Sequence, residues 1–74
     1  MDCNDVEPGL RVKTVFELES TRGMLIKQVH LDNRVPNAEG TVLGYVPGHG
    51  GDVWWVEHAD KKVAAYSFAE FNPL

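Results

Sequence analysis

GTVLGYVPGHGGDVWWVEHADKKVAAY, residues 40–66, decides the fold. It holds three short apolar runs separated by two turns, and both tryptophans, both tyrosines and two of the three histidines fall within it. Thr41–Val46 and Asp52–His58 are dense in β-branched and aromatic residues, which favours strands. Gly44 inside the first run predicts a bulge or sharp bend, a device that curls a small sheet into a barrel. Pro47-Gly48-His49-Gly50-Gly51 reads as a hairpin loop needing several positive φ values. Ala59-Asp60-Lys61-Lys62 is a tight polar turn leading into a third strand, Val63–Tyr66.

Upstream, residues 1–7 are polar and acidic and read as a flexible arm. Pro8-Gly9 is a turn signal. In Leu10–Val15 apolar and charged residues alternate with period two, as in a half-buried strand. Residues 16–37 form a long hairpin or loop excursion. Ser20–Gly23 is a turn with Gly23 at a position needing positive φ, and 24–31 is compatible with either strand or helix. Downstream, Ser67-Phe68-Ala69-Glu70 matches the capping box S-x-x-E and predicts one short helical or 3₁₀ turn. Phe71–Leu74 is a last short strand. Five short strands with a helical turn before the last give an all-β SH3-like barrel over residues 8–74.

Pro8-Gly9-Leu10-Arg11-Val12-Lys13, Gly40-Thr41-Val42-Leu43-Gly44-Tyr45, a Trp-Val strand, and Val63-x-x-Tyr66 followed by Ala69-Glu70 together resemble small bacterial SH3-like barrels. The plasmid-borne type II dihydrofolate reductases are one such group, and the resemblance covers roughly residues 8–13 and 40–72. Those reductases carry a Val-Gln-Ile-Tyr run whose Gln, Ile and Tyr line a pore shared by four subunits. Here the run is Val63-Ala64-Ala65-Tyr66, so the resemblance implies the barrel and not the reductase activity. The chain is also similar to bacterial proteins of unassigned function that carry the same Pro47–Val56 run, PGHGGDVWWV.

A chain of 74 residues has room for one domain. Domains this small are marginal alone and are commonly supplemented by disulfides, a metal or oligomerisation. Cys3 is the only cysteine, so no intrachain disulfide forms. One Cys and three scattered His do not make a four-ligand structural zinc site. Oligomerisation is the expected supplement. The net charge is -4 and the seven basic residues are dispersed, which argues against nucleic-acid binding, a process driven by clustered Lys and Arg. No apolar run is long enough to span a membrane, and the acidic first residues are unlike a signal peptide. The expected location is cytoplasmic.

Straight alternation along the strands places Val42, Val46, Trp54, Val56, Val63 and Ala65 inside the barrel, with Leu10 or Val12 and Phe68. Leu43, Tyr45, Val53, Trp55, Ala64 and Tyr66 then form an apolar and aromatic outer face. Such a face marks an interface or groove, and Trp and Tyr dominate binding hot spots. The candidate interface residues are therefore Leu43, Tyr45, Val53, Trp55 and Tyr66. Three covers fit it: residues 16–37 folding back, a second copy of the chain, or a partner or ligand.

No residues support catalysis. Gly48-His49-Gly50-Gly51 lacks the Lys and Ser/Thr of a phosphate loop and joins two strands. His49 and His58 sit at opposite ends of one strand, too far apart to share a metal ion. No Ser/His/Asp or Cys/His arrangement is present, and no cofactor is expected. The expected function is a non-enzymatic binding or assembly module that self-associates or binds a protein partner. The alternatives are an oligomeric enzyme of the reductase type, with its site at a symmetry axis, and a nucleic-acid-binding module using Arg11, Lys13, Arg34, Lys61 and Lys62.

Overall fold

The computed structural model describes residues 6–74; Cys3 and the first five residues of the expected arm lie outside them. Val6 does not belong to an arm, because it is buried in the core. Five antiparallel strands follow one another: β1 (Arg11–Thr14), β2 (Glu39–Tyr45), β3 (Val53–His58), β4 (Val63–Ser67) and β5 (Phe71–Pro73). Their spatial order is β4-β3-β2-β1-β5. This is the SH3-like barrel order, open between β4 and β5. A 3₁₀ turn, Phe68–Glu70, joins those two strands. Its signature residue Glu70 reaches back to the Ser67 N–H at 2.8 Å, while the Ser67 hydroxyl makes no hydrogen bond.

The turns follow from their residues. Gly48, Gly50 and Gly51 all adopt positive φ in the β2–β3 loop, as does Gly23 in the excursion. Gly40 answers a different need. A Cβ there would lie 2.5 Å from a Val56 methyl and 3.0 Å from the Glu57 carbonyl. Only glycine lets β2 approach β3 at this point.

The bulge falls where expected, with Leu43 as the extra residue: Val42 pairs with Val56 and Gly44 with Trp55. Its consequence is a change of phase. Beyond the bulge Tyr45 pairs with Trp54, so Leu43 and Tyr45 lie on opposite sides of the hairpin and not on one face.

A second phase change comes at the β3–β4 turn. A four-residue turn would pair His58 with Val63. In the structure the His58 N–H bonds the Lys62 carbonyl at 2.9 Å, and Lys61 adopts φ 71°. The turn is one residue shorter, which turns every β4 side chain over. Trp54 now faces Tyr66, Val56 faces Ala64 and Trp55 faces Ala65. The expected outer positions Ala64 and Tyr66 (both 0% exposed) are therefore inside, whereas Val53 (4% exposed) keeps its outer facing and is buried by the excursion.

β3 and β4 are consequently buried on both sides. The barrel interior contains Val6, Val12, Val42, Trp54, Val56, Ala64, Tyr66 and Phe71, edged by Leu10, Leu18 and Phe68. The other side holds a smaller cluster of Val46, Val53 and Ala65, covered by Met24, Ile26 and Trp55. Val63 is half-buried. The cover is the excursion, which forms a strap of loops and one short helix, α1 (Gln28–Asp32), packed on β4. The strap also caps the outer edge of β4, where the Val63 carbonyl accepts from His30 Nδ1 at 2.9 Å and Asn33 Nδ2 at 3.1 Å. At the opposite edge β5 is three residues long and contains Pro73. Among the described residues, no helix is long and apolar enough to cross a membrane.

Candidate functional site

Two places combine exposure with organised side chains. The first is the end of the strap where it re-enters the barrel. An open cleft of about 370 Å³ lies between Val35, Ala38 and Glu39 on one side and His58, Ala59 and Asp60 on the other. A polar chain runs beneath it. His58 Nδ1 lies 2.8 Å from the Glu39 carbonyl, which can only accept, so Nδ1 carries the proton of the neutral ring. His58 Nε2 then accepts from the Tyr66 hydroxyl at 2.7 Å. That hydroxyl in turn accepts from the Val35 N–H at 2.8 Å. Burial pushes the Tyr66 phenol above its ordinary range, against smaller opposing contributions from the Val35 hydrogen bond and the Arg34 charge. The phenol therefore stays protonated and donating at neutral pH.

Beside this chain the Arg34 guanidinium sits over the Tyr66 ring, 5.5 Å from its centre. It pairs with Glu70, and both side chains are almost wholly buried. Arg34 also donates to the Glu19 carbonyl at 3.4 Å. The same Glu70 oxygen accepts from the Glu19 N–H at 2.7 Å. Thr14 completes the arrangement, donating to the Val35 carbonyl at 2.7 Å and accepting from the Ala38 N–H at 2.8 Å. The bonds of Glu70 to Arg34 and Glu19, of Tyr66 to Val35 and of Thr14 to Val35 tie the strap to the barrel, while His58 braces Tyr66 from within the barrel. Both His58 nitrogens are engaged, the phenol is protonated, and Arg34 is neutralised by Glu70. The network is fitted to hold a segment in place, and it offers the cleft no unengaged base or nucleophile.

The second place is the bulged end of β2. Tyr45 is 60% exposed, its ring edge-on to the buried Trp54 at 6.0 Å. Trp54 is itself fixed by an indole N–H bond to the Gly51 carbonyl at 3.1 Å. On the other side of the hairpin Leu43 is 44% exposed and stands opposite Trp55. Trp55 is half-buried, and the His30 ring meets it edge-on at 4.9 Å.

Of the five residues expected to form the interface, Leu43 and Trp55 lie on one side of this rim and Tyr45 on the other, while Val53 is covered by the strap and Tyr66 is in the barrel core. Ala64 and Ala65, the positions that differ from the reductase run, are also interior, one in each cluster. Arg34 and Glu70 were not legible as a pair. The capping box located one oxygen of Glu70, and nothing in the sequence announced the partner of the other.

No protein-family model, curated protein or solved structure matches the chain.

Proposed function

We propose that the chain is a non-enzymatic assembly module and that a second copy of itself packs against the bulged rim. The observation that carries this reading is Tyr45, an exposed aromatic ring stepped against a buried Trp54, with Leu43 exposed on the other side of the same hairpin. Exposed aromatic and apolar groups clustered at the end of a small sheet are a candidate contact surface. The domain has 74 residues and no intrachain disulfide, so association would add buried surface that it lacks. A second copy is favoured over a strand-donating partner because the β4 edge has its Val63 carbonyl taken by His30 and Asn33, and the β5 edge is three residues long and ends in Pro73. The engaged state of His58, Tyr66 and Arg34 supports the non-enzymatic part of the reading.

Light scattering and sedimentation over a wide concentration range test it. The wild type should gain mass with concentration, and Tyr45→Lys and Leu43→Lys should each remain monomeric with an unchanged fold. A wild type that stays monomeric at every concentration overturns the proposal.

A further inference from the structure

Two histidines fasten the strap to the barrel directly, and the third, His58, does so only through the Tyr66 hydroxyl that holds Val35. His30 lies on the strap and donates from Nδ1 to the Val63 carbonyl; a protonated ring keeps that bond. His58 accepts from the Tyr66 hydroxyl. That hydroxyl also lies 3.3 Å from the Val35 carbonyl, so it can re-aim there when the ring becomes a double donor. His49 has no such escape. Its Nε2 lies 3.1 Å from the Leu25 backbone nitrogen, and its Nδ1 lies 3.3 Å from the Pro47 carbonyl. The carbonyl claims the single ring proton, and Nε2 accepts from the Leu25 N–H. A backbone N–H can only donate. A proton on Nε2 would set two donors against each other.

The place of this bond gives it leverage. Leu25 points outward, while its neighbours Met24 and Ile26 are half-buried against Val46, Val53 and Ala65. The bond to Leu25 thus pins the backbone between the two side chains that close the smaller cluster. His49 is held there by a loop in which Gly48, Gly50 and Gly51 all take positive φ. The ring is only partly buried, so protons reach it.

We infer that His49 is a proton-operated clip: its neutral ring holds the tip of the strap on the β3–β4 ribbon, and protonation releases it. Imidazole is the side chain that changes charge between about pH 5 and pH 8. The charged residues on the two segments that meet here are Asp52 on the turn and Arg22 and Lys27 on the strap. Acidification thus lifts Met24 and Ile26 and opens the surface formed by Val46, Val53 and Ala65. The inference is independent of self-association and is tested at a dilution where single copies predominate.

The measurement is NMR contact between the Met24 and Ile26 methyls and the Val46, Val53 and Ala65 methyls, at neutral pH and near pH 5. The β3–β4 amide pattern reports whether the barrel stays folded. The wild type should show the contacts at neutral pH and lose them on acidification. His49→Gln, whose amide oxygen accepts without titrating, should keep them at both pH values. His49→Ala should lack them at both. Wild-type contacts that survive acidification overturn the inference, as does a His49→Gln variant that loses them in step with the wild type. Contacts intact in His49→Ala at neutral pH would show that the clip holds nothing.

Discussion

The two sides of the β3–β4 ribbon are sealed in different ways. On the barrel side, Trp54, Val56, Ala64 and Tyr66 are enclosed by other strands and by Phe71. On the strap side, Val46, Val53 and Ala65 are covered by a segment with little regular structure. That segment buries few large apolar groups of its own: Leu25, Val29 and Phe16 all point to water. It is held instead by polar attachments, namely Arg34–Glu70, His58–Tyr66–Val35, Thr14 and His49. Apolar burial is non-directional and tolerates small shifts, whereas a buried ion pair or a histidine acceptor fails abruptly when one partner changes. One side of the ribbon is thus closed by packing and the other by a few specific bonds.

The adjacent tryptophans give the strongest test. Trp54→Ala should cost about 3–5 kcal/mol in denaturant unfolding, the usual range for deleting a buried aromatic. Trp55→Ala should cost clearly less, because Trp55 is half-buried under the strap, and should leave the barrel folded. Equal costs would erase the distinction between the two sides.

Arg34→Ala comes next, at about 3–5 kcal/mol, since it leaves the Glu70 carboxylate buried without its cation. Arg34→Met with Glu70→Gln together should recover part of that loss. If the single change proves silent, the strap is not held by this pair.

Gly40→Ala should cost about 1–3 kcal/mol through overpacking against Val56. The loss belongs to the barrel side, so thermal unfolding should shift while the His30–Trp55 contact persists.

The smallest effect is read from pH. The folded phenol of Tyr66 has a raised pKa, so its stabilising contribution is fully present below the unfolded value of about 10. It is lost as pH rises through the higher folded value. Stability measured between pH 8 and pH 11 should therefore fall at the alkaline end. Tyr66→Phe should be less stable at neutral pH and lack that alkaline slope.

Much of the architecture was readable from the residues. Glycines at 48, 50 and 51 marked the hairpin loop, the Ser67-x-x-Glu70 pattern marked the 3₁₀ turn, and Gly44 pointed to the bulge. The facing of the strands was not readable by alternation, because two single-residue events reset it. Leu43 is inserted into β2, and Lys62 joins the ladder that it was expected to leave. Each moves later side chains to the opposite side, and neither changes composition or periodicity within a strand. The strap was legible as an excursion and as one of three covers for the outer face, but its anchors were not, since they are long-range bonds between residues that look unremarkable locally: Arg34 with Glu70, Leu25 with His49. Of the expected face, Leu43, Val53 and Trp55 keep their side, Val53 under the strap, while Tyr45 and Tyr66 turn to the other.

The capped edges carry a last consequence. An open strand edge is a template on which further chains can stack without limit. Here the Val63 carbonyl is already occupied by His30 and Asn33, and β5 ends its short run at Pro73. Growth by strand addition thus loses an acceptor at one end of this sheet and meets a residue without an N–H at the other. A contact through the rim is a different kind of surface. Used by two copies about a two-fold axis, it satisfies itself and stops. Self-association of the kind proposed would therefore end in a finite particle and not in a fibre.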